Sequence, residues 1–201
     1  MALSDRPYGP TSGAASVANQ TSMNAQAAVS GPMPAVLTLV SATETVVPST
    51  GNAAAPLTIA IPPDTAMEQT VLDLFASGYV KVETSGTVTI NLYEGTSETV
   101  ANDTLLGTSG AVTQGTIAGA TVIAPFFVHA RLIYDSVSGL LCGDVEFYIN
   151  KVKVAAVTLS NFVGALNNTN SPVATFLLSV ASSGATTTYP TTVNVNKFTV
   201  G

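Results

Sequence analysis

Residues 126–154 read FFVHARLIYDSVSGLLCGDVEFYINKVKV, and this stretch decides the fold class. Apolar and polar side chains alternate through it with a period of two residues, which is the pattern of strands buried on one face. Turn residues interrupt the alternation at residues 135–139 and again at Asn150 and Lys151. The stretch therefore predicts three consecutive antiparallel strands joined by two turns.

The alternation divides the side chains of the first two of these strands between two faces of a sheet. One set is mostly apolar: Val128, Ala130, Leu132, Tyr134, Val145, Phe147 and Ile149. The set that alternates with it carries the charges and is expected to face solvent at those charges: Phe127, His129, Arg131, Ile133, Asp144, Glu146 and Tyr148. A half-buried sheet of this kind needs a second layer against its apolar face.

The rest of the chain beyond residue 34 also predicts short strands with little helix. Expected strands cover residues 35–47, 57–61, 71–76, 79–83, 87–93, 104–106, 155–159, 173–180 and 191–200, the last with a register shift at Asn196 and Lys197. Residues 64–69 could form one helical turn, and residues 84–86 a turn that closes a hairpin from Tyr79 to Tyr93. About nine to eleven short strands separated by turns predict an all-β antiparallel sandwich or jelly roll. It would span residues 35–201, with residues 94–120 as a long surface excursion.

Residues 1–34 differ from the sandwich because they are rich in Ala, Ser, Gly, Asn and Pro and carry only two charges, Asp5 and Arg6. Such a segment buries too little apolar surface to order by itself. Two interpretations remain: a disordered tail, or an extended arm that orders on a neighbouring subunit. For the arm, the candidate contact residues are Tyr8, Val17, Met23, Val29 and Met33.

The composition is poor in charge, which bears on partners. Charged residues make up 9 % of the chain, against about 25 % in an ordinary soluble domain. Surfaces covered in an assembly need no charge, so this composition favours a protein that associates with other subunits. With a net charge of −6 and six basic residues, nucleic-acid binding is not expected. No apolar run approaches the roughly 20 residues of a membrane span, and no signal peptide is predicted.

The chain offers little material for a catalytic, cofactor or metal site. Cys142 and His129 are its only cysteine and its only histidine, so neither a disulfide nor a zinc site is expected. Acidic residues near loops (Asp64, Glu68, Asp103 and Asp135) do not have the spacing of a calcium loop. We therefore predict no cofactor and no metal, and a reducing cytoplasm is a suitable place of synthesis.

His129, Asp144 and Glu146 are the residues that invite a catalytic interpretation. A serine triad would need a nucleophile motif, which the sequence lacks. Two carboxylates on one strand face could act as a glycosidase pair. However, Arg131, Lys151 and Lys153 lie on or beside the neighbouring strands, so cross-strand charge pairing explains the acidic residues more simply. The chain is predicted not to be an enzyme.

The C-terminal third resembles the lectin-like β-sandwich of virion proteins from tailed bacteriophages. The resemblance rests on three motifs: the aromatic-to-aspartate strand at residues 127–135, the Gly-x-x-x-Phe-x-Ile-Asn strand at residues 143–150, and the closing Thr-Val-x-Val-x-x-Phe strand at residues 192–198. It covers about 80 residues by sequence, and residues 1–120 contribute nothing to it.

The resemblance implies a capsid decoration (cement) protein. Such a protein would be made in the host cytoplasm and would sit on the capsid exterior, as a homotrimer bound to the major capsid protein and to its own copies. Two alternatives stay open: a carbohydrate-binding, lectin-like module, and a tail or fibre component. The absence of Trp counts against sugar binding, because lectin sites usually stack sugars on exposed aromatic side chains. Tyr134 and Tyr148 are the aromatic residues suggested for an open face.

Overall fold

The structure of the chain, a computed structural model, describes residues 34–49, 52–61, 71–82, 86–95, 98–113, 123–135, 140–162 and 174–201. The proposed arm contacts Tyr8, Val17, Met23, Val29 and Met33 lie outside these residues, as does the helical turn predicted at residues 64–69. Both therefore remain predictions.

The described residues contain fourteen strands. They are β1 (Ala35–Leu39), β2 (Thr45–Val46), β3 (Pro48–Ser49), β4 (Asn52–Pro56), β5 (Thr58–Ile61), β6 (Val71–Lys81), β7 (Thr87–Gly95), β8 (Thr104–Thr108), β9 (Val112–Thr113), β10 (Ile123–Asp135), β11 (Leu140–Ile149), β12 (Val152–Phe162), β13 (Ala174–Ser182) and β14 (Thr191–Val200). The count exceeds nine to eleven because it includes two-residue strands such as β2, β3 and β9.

The strands form two antiparallel six-stranded sheets, and β3 pairs with β4 in a small separate ribbon. Sheet 1 has the order β1-β14-β6-β10-β11-β12. Sheet 2 has the order β2-β13-β7-β8, with β5 paired to β13 and β9 paired to β7. The prediction of an all-β antiparallel sandwich is confirmed.

The core lies where the apolar faces of the two sheets meet in one hydrophobic cluster. Its largest fully buried side chains include Phe126 and Phe147 from sheet 1 and Phe176 from sheet 2. Burying a side chain of this size contributes about 2–3 kcal/mol relative to leaving it in water. This packed core fixes sheet 1 as a rigid support whose other face points away from sheet 2.

The three-stranded meander predicted from residues 126–154 is confirmed as β10, β11 and β12. The turn at Asn150 and Lys151 has positive φ at both residues, 52° and 66°, as a two-residue type I′ hairpin requires. The amide of Asn150 donates a hydrogen bond of 2.8 Å to the carbonyl of Pro125. The register shift predicted in the last strand is also present, between Val195 and Lys197 of β14.

The predicted hairpin from Tyr79 to Tyr93 is wrong, because β6 belongs to sheet 1 and β7 to sheet 2. The prediction also divided β6 at Ser77 and Gly78, although the strand continues through them. Gly78 serves close packing there: a Cβ atom on it would lie 1.8 Å from the carbonyl oxygen of Asn194 and 2.8 Å from the Phe126 ring. A glycine in a strand can mark this kind of close approach as well as a turn.

The single strand predicted over residues 35–47 is also divided between the layers. β1 joins sheet 1 and β2 joins sheet 2, with bends at residues 41–43 between them. Alternating patterns cannot show where a chain crosses from one sheet to the other, because both segments bury one face in the same core.

Strand β13 departs from the expected alternation between a buried and an open face. Phe176, Leu178 and Val180 face the core as predicted, but Leu177 and Ser179 on the opposite face are also fully buried. Sheet 2 is therefore covered on both faces along β13, whereas sheet 1 leaves its outer face accessible.

Candidate functional site

The outer face of sheet 1 brings together aromatic and charged side chains from four adjacent strands. Antiparallel register places Phe75 of β6 opposite His129 of β10, and His129 opposite Glu146 of β11. Thr199 of β14 lies opposite Phe75 on its other side. One row of the sheet thus carries Thr199, Phe75, His129 and Glu146 side by side.

Aromatic rings form the middle of this face. The rings of Phe75 and Phe127 lie with their centroids 6.1 Å apart and their planes tilted by 39°. The ammonium group of Lys197 lies 5.4 Å from the centroid of the Phe75 ring, within the range of a cation–π contact. Phe127 keeps 37 % of its surface exposed, so the pair presents an accessible apolar floor.

Two shallow depressions adjoin these rings. One, of about 440 Å³, is lined by Phe75, Phe127, His129, Glu146 and Tyr148. The other, of about 520 Å³, is lined by Asp73, Phe75, His129, Lys197, Thr199, Val200 and Gly201. Both depressions border Phe75 and His129, and together they extend over parts of β11, β10, β6 and β14. We name the two depressions together the aromatic trough.

Asp73 holds the imidazole of His129 at the centre of the trough. The Nε2 atom of His129 donates a hydrogen bond of 2.6 Å to Oδ1 of Asp73. Both side chains remain substantially exposed, at 42 % and 55 %. The contact fixes the orientation of the ring and leaves lone pairs of the Asp73 carboxylate accessible.

Glu146 is held from two directions at one end of the trough. It accepts a hydrogen bond of 3.0 Å from the hydroxyl of Tyr148, and Lys153 of β12 donates to its other oxygen. The Lys153 bond, followed by the Tyr148 bond, lowers the pKa of Glu146 below its ordinary value of 4.5. The same contacts raise the pKa of Lys153 and of Tyr148.

The next row of the sheet carries charges of alternating sign. Arg131 lies between Asp73 and Asp144 in register, and Asp144 accepts a hydrogen bond of 2.8 Å from the hydroxyl of Thr158. Arg131 thus lies beside two carboxylates in register, but the hydrogen bond that Asp144 accepts comes from a hydroxyl group. The cross-strand charge pairing predicted from the sequence is present between Glu146 and Lys153.

A separate group of apolar side chains lies at the end of the same face beyond Phe127. Val36, Tyr79 and Ile123 are 50 %, 45 % and 58 % exposed. Tyr79 lies opposite Pro125 on one side and Asn194 on the other, and Asn194 in turn lies opposite Val36. We name Val36, Tyr79, Pro125 and Ile123 the apolar end.

A polar cluster on the outer face of sheet 2 has a structural role. Glu44, from the segment that links the two sheets, accepts hydrogen bonds of 2.7 Å from Asn91 and 3.0 Å from Tyr93, and a third from Ser179. Burial, followed by the bond to Glu44, raises the pKa of Tyr93 to about 12. Through these hydrogen bonds, Glu44, the residue before β2, is linked to strands β7 and β13.

Sequence reasoning placed His129, Arg131, Glu146 and Tyr148 on one outward face, and the structure confirms that placement. It missed Phe75 and Lys197, since β6 was predicted as two strands and no pattern aligns β6 with β10. An unbroken period-two pattern from residue 71 to residue 81 was the available signal. Tyr134 was also suggested for an open face, but its side chain is not among those that the structure describes, so that suggestion stays a prediction.

Metal ligands and membrane-spanning helices were searched for in the described part of the chain. It contains no group of three or more His, Cys, Asp or Glu side chains that could hold a metal ion. Asp103 instead accepts a hydrogen bond from the amide of Thr99. Across the same residues, no helix has the length and apolar character needed to cross a membrane.

Comparison with known proteins adds one weak similarity. No protein-family model matches the chain, and no curated protein matches it. Among solved structures it is similar to the legume lectin-like domain from Entamoeba histolytica, at 10 % identity over 83 % of this chain and 89 % of that chain, with a TM-score of 0.29. So low a TM-score carries no argument about function. The resemblance to bacteriophage virion proteins stays a prediction, and the chain is a β-sandwich with a weak likeness to a legume lectin-like domain.

Proposed function

We propose that this chain is a non-catalytic structural protein of a virus particle, of the capsid-decoration kind, that associates with other subunits through the apolar end of sheet 1. The observation that carries the proposal is the exposure of Val36, Tyr79 and Ile123 at one end of one rigid sheet face. Asn194 lies between Val36 and Tyr79, and Lys81 lies opposite Ile123. The charged fraction of 9 % and the resemblance of the C-terminal third to virion proteins support it further.

The physical reason is the cost of leaving apolar surface in water. Apolar area removed from water contributes about 25 cal/mol per Å², so a partner that covers these side chains gains stability in proportion to the area covered. Adjacent exposed apolar residues mark interaction surfaces more often than scattered ones do. Sheet 1 also needs no rearrangement to present them, because its register and core fix their positions.

The proposed partners are copies of this chain and the major capsid protein. A trimer on the capsid exterior would repeat each contact by symmetry, so a modest patch on each subunit could hold the assembly together. Residues 1–34 would add contacts as an arm, which fits their place immediately before β1 and Val36.

The first experiment measures oligomeric state by size-exclusion chromatography with light scattering. The purified chain should elute as a trimer, and the double variant Tyr79→Ser/Ile123→Ser should shift to monomer with unchanged circular dichroism. Leu105→Ser is the matched control, since Leu105 is 43 % exposed on sheet 2, and this variant should remain trimeric. A wild-type chain that stays monomeric at all concentrations would contradict the proposal.

A second experiment tests the location. Peptide mass spectrometry of density-banded particles, released from cells that carry the gene, should detect the chain in fixed proportion to the major shell protein. Its complete absence from the banded particles would overturn the virion assignment, whatever the oligomeric state.

Carbohydrate binding is the second candidate function, and a different part of the same face favours it. The aromatic trough combines exposed rings with oriented carboxylates, which the apolar end does not. A tail or fibre component would share the association chemistry proposed here, and the composition of the particle would distinguish it.

A further inference from the structure

The aromatic trough contains side chains that association through the apolar end does not use. Its rings, hydrogen-bonded carboxylates and flanking cations lie in the middle rows of sheet 1, between Asp73 and Tyr148. We infer that the trough is a binding site for a neutral oligosaccharide chain, with Phe75 and Phe127 as its apolar floor.

The first step is the match between the floor and a sugar ring. A pyranose presents a face of C–H groups and a rim of hydroxyls, so it needs an aromatic surface beside hydrogen-bonding groups. Phe75 and Phe127 supply that surface, with centroids 6.1 Å apart. Phe127 is 37 % exposed, so the contact area is available without any movement of the sheet.

The second step is the placement of polar groups around the floor. Asp73 lies next to Phe75 along β6, and Glu146 lies in the same row of the sheet as Phe75 and His129. Each carboxylate is already oriented by a protein donor: His129 for Asp73, and Tyr148 and Lys153 for Glu146. An ionised carboxylate has about four lone-pair sites, so each retains capacity to accept bonds from ligand hydroxyls. Held side chains also lose less conformational freedom when a ligand binds.

The third step is charge, which selects a neutral ligand. The middle rows carry three acidic side chains, Asp73, Asp144 and Glu146, and three basic ones, Arg131, Lys153 and Lys197. The formal charges of these six side chains sum to zero, so this face carries no net charge that would favour an anion such as a phosphate or sialic acid, or a cationic peptide.

The fourth step is shape. The two depressions, of about 440 and 520 Å³, both border Phe75 and His129 and are shallow. Small-molecule pockets have comparable volumes of about 300–1,000 Å³ but enclose most of their ligand. Two shallow depressions across four strands instead suit several sugar units of an extended chain, bound weakly and strengthened by repetition of the site in an oligomer.

The test uses the full chain in two assays. A glycan array that contains neutral and acidic oligosaccharides identifies the class, and native gels that contain soluble galactomannan, xylan, dextran or mixed-linkage β-glucan measure retardation. We expect binding to at least one neutral glycan on the array or in the gels, and at least a tenfold weaker interaction for Phe127→Ala. Glu146→Gln should also weaken binding while keeping the shape of the side chain.

Tyr189→Ala is the matched control, because Tyr189 is 51 % exposed in the loop before β14 and does not line the trough. It should bind as the wild type does. Glu146→Gln keeps the experiment informative if Phe127→Ala fails to fold. Absence of binding to every glycan, binding to acidic glycans alone, or equal binding by wild type and both trough variants would overturn the inference.

These outcomes are separable from the proposed structural function. Tyr79→Ser/Ile123→Ser leaves the trough residues intact, so a monomeric double variant should still bind glycan, with lower avidity on the array. If the wild-type chain is a trimer that binds no glycan, the trough site is wrong and the association proposal stands. If it is a monomer that binds neutral glycan, the association proposal is wrong and the trough site stands.

Discussion

Glu146 is the side chain on which the charge network of the outer face is centred, and its titration can be followed directly. The Lys153 and Tyr148 bonds lower its pKa, so the carboxylate should titrate below 4.5 in a carbon-13 NMR experiment. Lys153→Met should return the pKa toward the ordinary range. Lys197→Met, which removes a charge without a bond to Glu146, should change it little. An unchanged Glu146 pKa in Lys153→Met would show that the Lys153 contact is not formed in solution.

The sign of the associated pH dependence follows from linkage. A carboxyl group whose pKa is lower in the folded state than in the unfolded state stabilises the fold at pH values above the unfolded-state pKa. This contribution is lost as the pH falls through the folded-state pKa. The difference in stability between wild type and Glu146→Gln should therefore shrink below about pH 4.5. Because this pair is exposed, the difference should be small at any pH.

Glu44 gives a second prediction at the scale of single residues. Glu44→Ala leaves Asn91, Tyr93 and Ser179 without their shared acceptor, so we expect a loss of about 3 kcal/mol in unfolding free energy by urea titration. Tyr93→Phe removes one donor and leaves two, and it should lose about 1 kcal/mol. Glu98→Ala, on an exposed loop, is the control for the loss of one charge. Equal losses in Glu44→Ala and Glu98→Ala would contradict a structural role for the cluster.

The position of a single side chain, outward or inward, was predictable from the sequence where the alternation within one strand determines it. The outward position of His129 and Glu146 follows from period two alone. Glu44 could not be identified in this way, since its partners lie 47 to 135 residues away and meet it only after the two sheets have packed.

At the scale of elements, the hairpin between β11 and β12 is the most closely specified part of the fold. Lys151 adopts φ = 66°, which a side chain with a Cβ atom disfavours. Lys151→Gly should therefore stabilise the protein by about 1 kcal/mol or less, measured as a shift of the urea midpoint. Lys151→Ala keeps the Cβ and is the matched control, for which no gain is expected. A gain in Lys151→Ala equal to that in Lys151→Gly would mean that charge, not backbone strain, is responsible.

Elements were predictable where local turn chemistry joins them, and not where the chain changes sheet. β10, β11 and β12 follow one another in both sequence and space. β6 and β7 are also consecutive in sequence, but they belong to different sheets and do not form a hairpin. Both arrangements bury one face of each strand in the same core, so alternation cannot choose between them.

At the scale of the whole molecule, deletion of residues 1–30 separates folding from assembly. The truncated chain should keep the sandwich, because the core cluster of the described residues is built from side chains between Ala35 and Val200. It should lose its attachment to the particle or its trimeric state, because an arm contributes contacts that the sandwich lacks. Circular dichroism checks the fold, and light scattering with particle co-sedimentation checks the assembly. A truncated chain that still attaches at full occupancy would exclude the arm.

The class of the molecule was predictable from its sequence, while the partition of its strands into two layers was not. Strand content and alternation are local properties, but the sheet that a strand joins depends on which long-range strand pairings are the most stable. The low charge pointed toward an associating surface without locating it. In the structure, exposed apolar residues lie at both ends of the outer face of sheet 1: Val36, Tyr79 and Ile123 at one end, and Val71 opposite Ile133 at the other. The first group is the association surface that we propose.

The position of β14 has a consequence for how the protein is made. This strand, residues 191–200, lies between β1 and β6, so the neighbour that completes β6 is translated long after β6 itself. During synthesis of more than half of the chain, one backbone edge of β6 has no partner from sheet 1. A nascent chain halted before residue 191 would hold an unfinished sheet with apolar side chains in water, a substrate for chaperones and a seed for aggregation. Sheet 1 can therefore be completed only after residues 191–200 have been made, and the yield of correctly folded protein should rise when synthesis is slowed by cooling.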